Sequence, residues 1–330
     1  MSDATTYPSF VEQLLTYLDR PHASVPAGPV GGPASWRGED LAGSDEWVVT
    51  LGDDQRAELH AAVDAATATG TPTGELTAAD FPLPTLGDDI ARWRTELADG
   101  RGFLLVRGLP VHEWTEAEAE VACWCLGLHL GRPGAQNSDG DLLGHVADLG
   151  DDANHPASRL YRTNKHIRFH CDAADVVGLL CLRTAPEGGA SRLVSSVAVF
   201  DQLVVEHPDL VGRLFEPLKL DSRLEDGVEP RYSEIPPCAF DGEKLRTFMH
   251  CDYFGSVDRH EGVELTDTER QVLDVWEEIA ERPEMHLDMD LVPGDFQLAS
   301  NHTIVHARTG YVDADDPADR RHLLRLWLSL

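Results

Sequence analysis

Residues 161–192 read YRTNKHIRFHCDAADVVGLLCLRTAPEGGASR, and the triplet at their centre, His170-Cys171-Asp172, decides how the rest of the chain is read. Along an extended strand successive side chains alternate faces, so His170 and Asp172 project to one side and Cys171 to the other. One imidazole and one carboxylate aimed at one point leave a divalent metal undersaturated, and a third ligand has to come from a distant part of the chain. Two histidines and one carboxylate on a single face are the donor set of non-haem Fe(II) oxygenases. A His-x-Asp triplet is short, however, and a strand-end turn with a hydrogen-bonded histidine is its commoner meaning. A second copy, His250-Cys251-Asp252, competes for the same role.

Composition narrows the field. With 330 residues and 42% hydrophobic content the chain can bury a substantial core. Its 58 acidic against 27 basic residues leave a formal charge of -31. That balance argues against nucleic acid and anionic membrane surfaces as partners, because both need clustered cations. The six cysteines form neither a zinc-type C-x2-C pattern nor a dense disulfide framework and are expected as free thiols. No basic segment leading into an apolar one opens the chain and no apolar run approaches the length of a membrane span, so a cytoplasmic protein is expected.

Residues 1–45 join a short amphipathic pattern, Phe10, Leu14, Leu15 and Leu18, to a stretch rich in Pro and Gly, and are expected to form a flexible arm. Helical periodicity follows at Leu59, Ala62, Val63 and Ala66, then at Ile90, Trp93 and Leu97. Gly102 to Arg107, GFLLVR, predicts a buried strand. Thr115 with Glu118, and later Thr266 with Glu269, have the spacing of a capping box and predict helix starts. The apolar run 177–182 predicts a strand covered on both faces, and the pattern of residues 195–205 predicts a helix. Residues 221–262 show no sustained period and are expected to form a lid or binding loop. Strand-like alternation returns in HLDMDLV and FQLASNHTIVHAR. Helices early and strands late, with one long insert, predict a single catalytic barrel over residues 46–330, mainly β with flanking helices.

Alternation along residues 303–308 puts Ile304, His306 and Arg308 on one face, and His306 is the chosen distal ligand. His302 shares that parity and is left a structural role. In RHLLRLW, Arg321 and Arg325 are four apart and share a strand face, embedded in Leu and Trp. Buried guanidinium groups without carboxylate partners are costly, so an anionic small molecule is the expected partner for each. Ser191, ending the Gly188-Gly189-Ala190-Ser191 turn, offers a hydroxyl to the same carboxylate, although a serine there is by default only a turn former. His145 reads first as a structural histidine.

The ordered set His170-x-Asp172, Gly188-Gly189-Ala190-Ser191, Gly294-Asp295, Asn301-x4-His306-x-Arg308 and Arg321-x3-Arg325 resembles the taurine dioxygenase and clavaminate synthase group of Fe(II)/2-oxoglutarate-dependent oxygenases. The resemblance runs from about GRGFLLVRGLP to the C-terminus. It implies a double-stranded β-helix, or jelly roll, and the cofactors Fe(II), 2-oxoglutarate and O2. By position, His170, Asp172 and His306 resemble the iron ligands, Arg321 the arginine for the C5 carboxylate of 2-oxoglutarate, and Ser191 the threonine beside it. Arg325 matches a position that holds an anionic group of the primary substrate; Asn164 and His145 fall upstream, where some members touch substrate. Asp172 stands where clavaminate synthase itself has Glu and where halogenating relatives have a small residue, so halogenation is not expected. The first His-x-Asp copy precedes the Gly188-Gly189 turn, as the family order requires; His250 and Asp252 then fall to the lid. The implied activity is hydroxylation of a C–H bond in a small, carboxylate-bearing molecule. The alternative is a metal- and anion-binding barrel without oxygenase activity.

Overall fold

The computed structural model describes residues 7–153, 155, 159–224 and 229–330. The first six residues of the expected arm and residues 225–228 of the expected lid lie outside the described residues.

The strand-like segments assemble into two facing sheets. The larger has the order Val48–Thr50, Phe103–Arg107, Phe296–Ser300, Val176–Arg183, His322–Ser329 and Arg132–Pro133, with Leu143–Val146 also paired to His322–Ser329. The smaller runs His286–Met289, Ser191–Ser195, Ile304–Arg308, Ile167–His170. Apart from the parallel pair at the edge, Val48–Thr50 with Phe103–Arg107, the pairing in both is antiparallel.

Alternation sorts each strand of the larger sheet into two cores. Phe103, Leu105, Val177, Cys181, Leu323 and Trp327 face the smaller sheet. Leu104, Val106, Leu180, Leu298, Leu324 and Leu326 face outward, onto the helices Asp53–Ala68, Leu86–Asp99 and Glu116–Leu130. A strand buried on both faces needs a continuous apolar run, which is what Val176–Arg183 has. Helices Ser196–Glu206 and Asp267–Ala280 cover the smaller sheet with Phe200, Leu203, Val272 and Trp276. The result is a jelly roll with helices packed outside.

Both capping boxes form. Glu118 accepts from the Thr115 backbone N–H at 2.7 Å while Thr115 Oγ1 accepts from Glu118 N–H at 3.3 Å, and Thr266 with Glu269 does the same at 2.6 and 3.2 Å. All six cysteines are free and buried. Among the described residues no helix is long and apolar enough to cross a membrane.

Two expectations need correction. From residue 7 onward the N-terminal segment is no flexible arm, because the apolar stripe of Phe10–Leu18 has somewhere to go. Tyr17 is buried, donates from its hydroxyl to the carbonyls of Asn301 (2.8 Å) and Thr247 (3.1 Å), and stacks on His302 with ring centres 4.7 Å apart. Trp36 is tied to the Arg101 carbonyl at 3.0 Å. The insert is likewise not irregular throughout: Leu218–Asp221 pairs with Tyr232–Ile235, and Cys238–Phe240 with Leu245–Thr247. Strands of three or four residues are too short to display a period.

Gly294 and Asp295 form a structural clamp. Gly294 has φ +89°, and a Cβ there would lie 2.3 Å from the Leu109 carbonyl oxygen. The buried Asp295 carboxylate accepts two hydrogen bonds from Arg107, each 2.9 Å, and one from the Val292 N–H at 3.0 Å. Gly294→Ala, forced into a left-handed conformation against backbone, is expected to lose about 1–3 kcal/mol of stability, read as a lower denaturant midpoint with an unchanged slope.

Candidate active site

Strand register assembles the site. Ile304–Arg308 lies between its two neighbours so that His306 faces His170 on one side and Leu193 on the other. Asp172 follows just beyond the end of Ile167–His170. Ligand atoms of His170, Asp172 and His306 all fall within 4.8 Å of one another. His306 Nε2 is 3.7 Å from Asp172 Oδ2, and the two imidazole centres are 4.2 Å apart.

His170 and Asp172 are each aimed by their neighbours. A carbonyl only accepts, so the 2.9 Å contact of His170 Nδ1 with the Arg168 carbonyl fixes the proton there and leaves Nε2 with its lone pair toward the cluster. The Asp172 backbone N–H donates to Asn301 Oδ1 at 3.0 Å, while Asn301 Nδ2 donates to the Ala174 carbonyl at 2.9 Å. Cys171 points away, as alternation requires, and burial pushes its thiol up to about 12.

Electrostatics suit a cation. Burial works to raise Asp172, but Arg325, His306 and His170 outweigh it and hold the carboxyl below its usual value, so it is ionised at neutral pH. Burial, then His170 and Arg325, push His306 down to about 3, so its imidazole is neutral, the form that ligates metals. Asp172 Oδ2 is buried with no hydrogen-bond partner. An unpartnered carboxylate oxygen facing two imidazoles fits a divalent ion of the Fe(II) type.

A cavity of about 420 Å³ opens over this cluster, a volume suited to a small molecule. Arg325 reaches into it, held by a 2.7 Å bond from Nε to Gln136 Oε1, and its guanidinium lies 4.5 Å from the Tyr161 ring centre and 5.3 Å from that of Trp327. Nη1 is 3.6 Å from Asp172 Oδ1. Arg321 lies elsewhere, against the Gly188-Gly189 turn. A Cβ on Gly189 would come within 3.0 Å of Arg321 Nε, so the glycine, at φ +76°, makes room for the guanidinium. Arg321 Nη1 is buried without a partner, a fit for a carboxylate. Burial lowers Arg321 below its ordinary value. Ser191 is buried and donates to Gln297 Oε1 at 2.9 Å.

Besides Arg321 and Ser191, two further expected residues do not line the cavity. His145 is exposed on the outer side of the larger sheet, its Nδ1 2.9 Å from His322 Nε2, because its strand turns that side chain away from the interior. Glu116, His145 and His322 have ligand atoms within 4.8 Å of one another, but Arg183 already donates to His322 Nδ1 (3.1 Å) and Glu116 (3.4 Å), placing a cation there. Asn164 lines surface depressions beside Gly310 and Tyr311, and its carbonyl accepts from Tyr311 N–H at 3.0 Å.

The rival pair does reach the cavity. His250 bridges His170 through backbone and stacks on Tyr253 with centres 3.6 Å apart; burial first, then His170 and nearby arginines, keep it well below its usual value and neutral. Asp252 pairs with Arg168 at 3.3 Å. Sequence reading had missed Gln136, Tyr161, Arg159 and Tyr253 on the cavity wall. Only the RHLLRLW motif hinted at aromatic partners for Arg325.

Comparison with known proteins adds what geometry alone does not. Residues 67–327 match the family model described as taurine catabolism dioxygenase TauD, TfdA family. The chain belongs to this family. A relative named FR-33289 synthase, from Streptomyces rubellomurinus, is 33% identical over 307 residues, covering 92% of this chain and 91% of that protein. A taurine hydroxylase-like protein of Stachybotrys chartarum is 28% identical, covering 94% and 82%. Among solved structures, asparagine oxygenase in complex with Fe(II), 3-hydroxyasparagine and succinate superposes with TM-score 0.69 at 18% identity, covering 86% of this chain and 93% of that one. OrfP with Fe and alpha-ketoglutaric acid gives TM-score 0.62 at 16% identity, covering 86% and 94%. Both share the fold.

This TauD-family protein is an Fe(II)- and 2-oxoglutarate-dependent oxygenase that uses O2. Asn301 Oδ1 accepts from the Asp172 backbone N–H and holds that segment in place. Asn301→Ala is expected to weaken Fe(II) affinity about ten- to a hundredfold, measured by anaerobic metal titration.

Proposed function

We propose that Fe(II) is held by His170, Asp172 and His306, and that the enzyme hydroxylates a C–H bond of a small carboxylate-bearing substrate, an amino acid or a natural-product intermediate. The convergence of three remote ligands with an unpartnered Asp172 oxygen carries the metal assignment. Bound iron with 2-oxoglutarate and O2 supplies an oxidation that converts R–H to R–OH while 2-oxoglutarate becomes succinate and CO2. The chain's own residues bind and orient. Arg321, with Ser191 beside it, takes the C5 carboxylate of the cosubstrate. Arg325 takes the substrate carboxylate, since its planar group, already clamped by Gln136 and two aromatic rings, loses little freedom on binding.

The cavity supports this reading of the substrate. Arg159, Tyr253 and Asp252 line the wall beyond Arg325 and suit polar groups at the far end of an amino acid or related acid. The described residues of the insert 221–262, within the catalytic domain 46–330, contribute Asp221, Ser233 and His250 to that wall and act as a lid that excludes water from the reacting centre. Asparagine oxygenase and OrfP, crystallised with hydroxylated amino acids, share the fold and motivate the substrate class. The negative surface charge and the missing membrane helix among the described residues support a cytoplasmic enzyme.

Succinate release from 2-oxoglutarate under O2, stimulated by candidate amino acids, is the direct test. His306→Ala is expected to abolish it, and normal turnover in that variant rejects the ligand set. Arg325→Gln is expected to raise the substrate KM by about tenfold or more while the KM for 2-oxoglutarate stays within about twofold.

A further inference from the structure

Arg308 follows the distal histidine by two residues and shares its face of the strand, yet neither the metal nor the substrate uses it. Its Nη2 donates to the carbonyls of Thr163 (2.7 Å) and Lys165 (2.5 Å), which fixes the guanidinium in one place. Nε and Nη1 are buried and have no hydrogen-bond partner. Among the described residues no carboxylate forms an ion pair with Arg308 or with Arg321 within 4.0 Å.

Those unused donors have company. Arg321 Nη1 is also buried and unpartnered, and so is the Tyr311 hydroxyl. The guanidinium carbons of Arg308 and Arg321 lie 4.9 and 5.1 Å from the centre of the same Tyr311 ring. Ser191 is the direct cross-strand partner of Arg308. The two cations repel one another, and their spare donors stay out of water without acceptors although Nη2 of each meets backbone carbonyls; an anion arriving among them relieves both costs. An ionised carboxylate has about four acceptor sites, enough for donors from two arginines and a hydroxyl.

We propose that Arg308 supplies a second guanidinium to the C5 carboxylate of 2-oxoglutarate, gripping it together with Arg321 beside Tyr311. The proposal rests on the reading of Arg321 as the cosubstrate arginine. It makes Arg308 a determinant of cosubstrate choice: a 2-oxo acid of equal length without the distal carboxylate gains nothing from it. A purely structural Arg308, tying residues 163–165 to the barrel, would affect both acids alike.

The test is binding, not turnover. Fe(II)-loaded protein is titrated anaerobically, by calorimetry, with 2-oxoglutarate and with 2-oxopentanoate. Arg308→Met is expected to weaken 2-oxoglutarate by about tenfold or more and leave 2-oxopentanoate within about twofold. Equal weakening of both acids, or no weakening, overturns the proposal. Should Arg308→Met fail to fold, Arg308→Lys keeps a charge able to reach the two carbonyls but lacks the spare donors, and a severalfold fall in the preference for 2-oxoglutarate is expected; an unchanged preference overturns the proposal. Arg321→Met separates the two levels. If it too fails to discriminate between the acids, the cosubstrate reading itself falls; if it discriminates while Arg308→Met does not, only the role of Arg308 is lost.

Discussion

The pairing of Ile304–Arg308 between Ile167–His170 and Ser191–Ser195 is the constraint on which everything else depends. It brings His306 opposite His170 and Arg308 opposite Ser191 in one register. Because side chains alternate, a slip of one residue would turn both His306 and Arg308 out of the barrel together. The register is held at one end by the turn at residues 301–303, where the chain crosses from the larger sheet to the smaller and Asn301 reaches back to Asp172. One turn thus ends a strand, changes sheets and positions a ligand.

The interior so built is unusually cationic for a chain of charge -31. Arg308, Arg321 and Arg325 are all buried, while most carboxylates lie on the surface. Arg308 is held by backbone carbonyls, Arg321 packs against the bare turn of Gly189, and Arg325 is held by Gln136 and two aromatic rings with the Asp172 carboxylate 3.6 Å away. Side chains held in this way lose little order on binding a ligand.

Parts distant in sequence close the cavity. Phe10 and Leu14 come from the N-terminal helix, and Tyr253 and His250 from the insert, so part of the cavity wall is built from two segments remote from the barrel strands. The Tyr17 hydroxyl binds the Asn301 carbonyl, which links the N-terminal helix to the same turn that positions Asp172. Packing of the first helix and placement of Asp172 are therefore coupled through Asn301.

Local pattern was enough to place the helices with capping boxes, the doubly covered strand 176–183, the shared side of His170 and Asp172 and the outward Cys171, because each depends on spacing within a few residues. His302 shares the parity of His306 and is left a structural role because one further imidazole suffices; it pairs with Asp175 at 2.9 Å. Sequence could not say that His145 faces outward, that the first helix is a wall and not an arm, or that Arg308, Arg321 and Tyr311 share one spot. Those facts depend on which strands are neighbours and on which side of a strand faces the barrel, and both are settled only when remote segments pack. Alternation tells which residues share a face; only tertiary packing decides whether that face meets a metal, a helix or water.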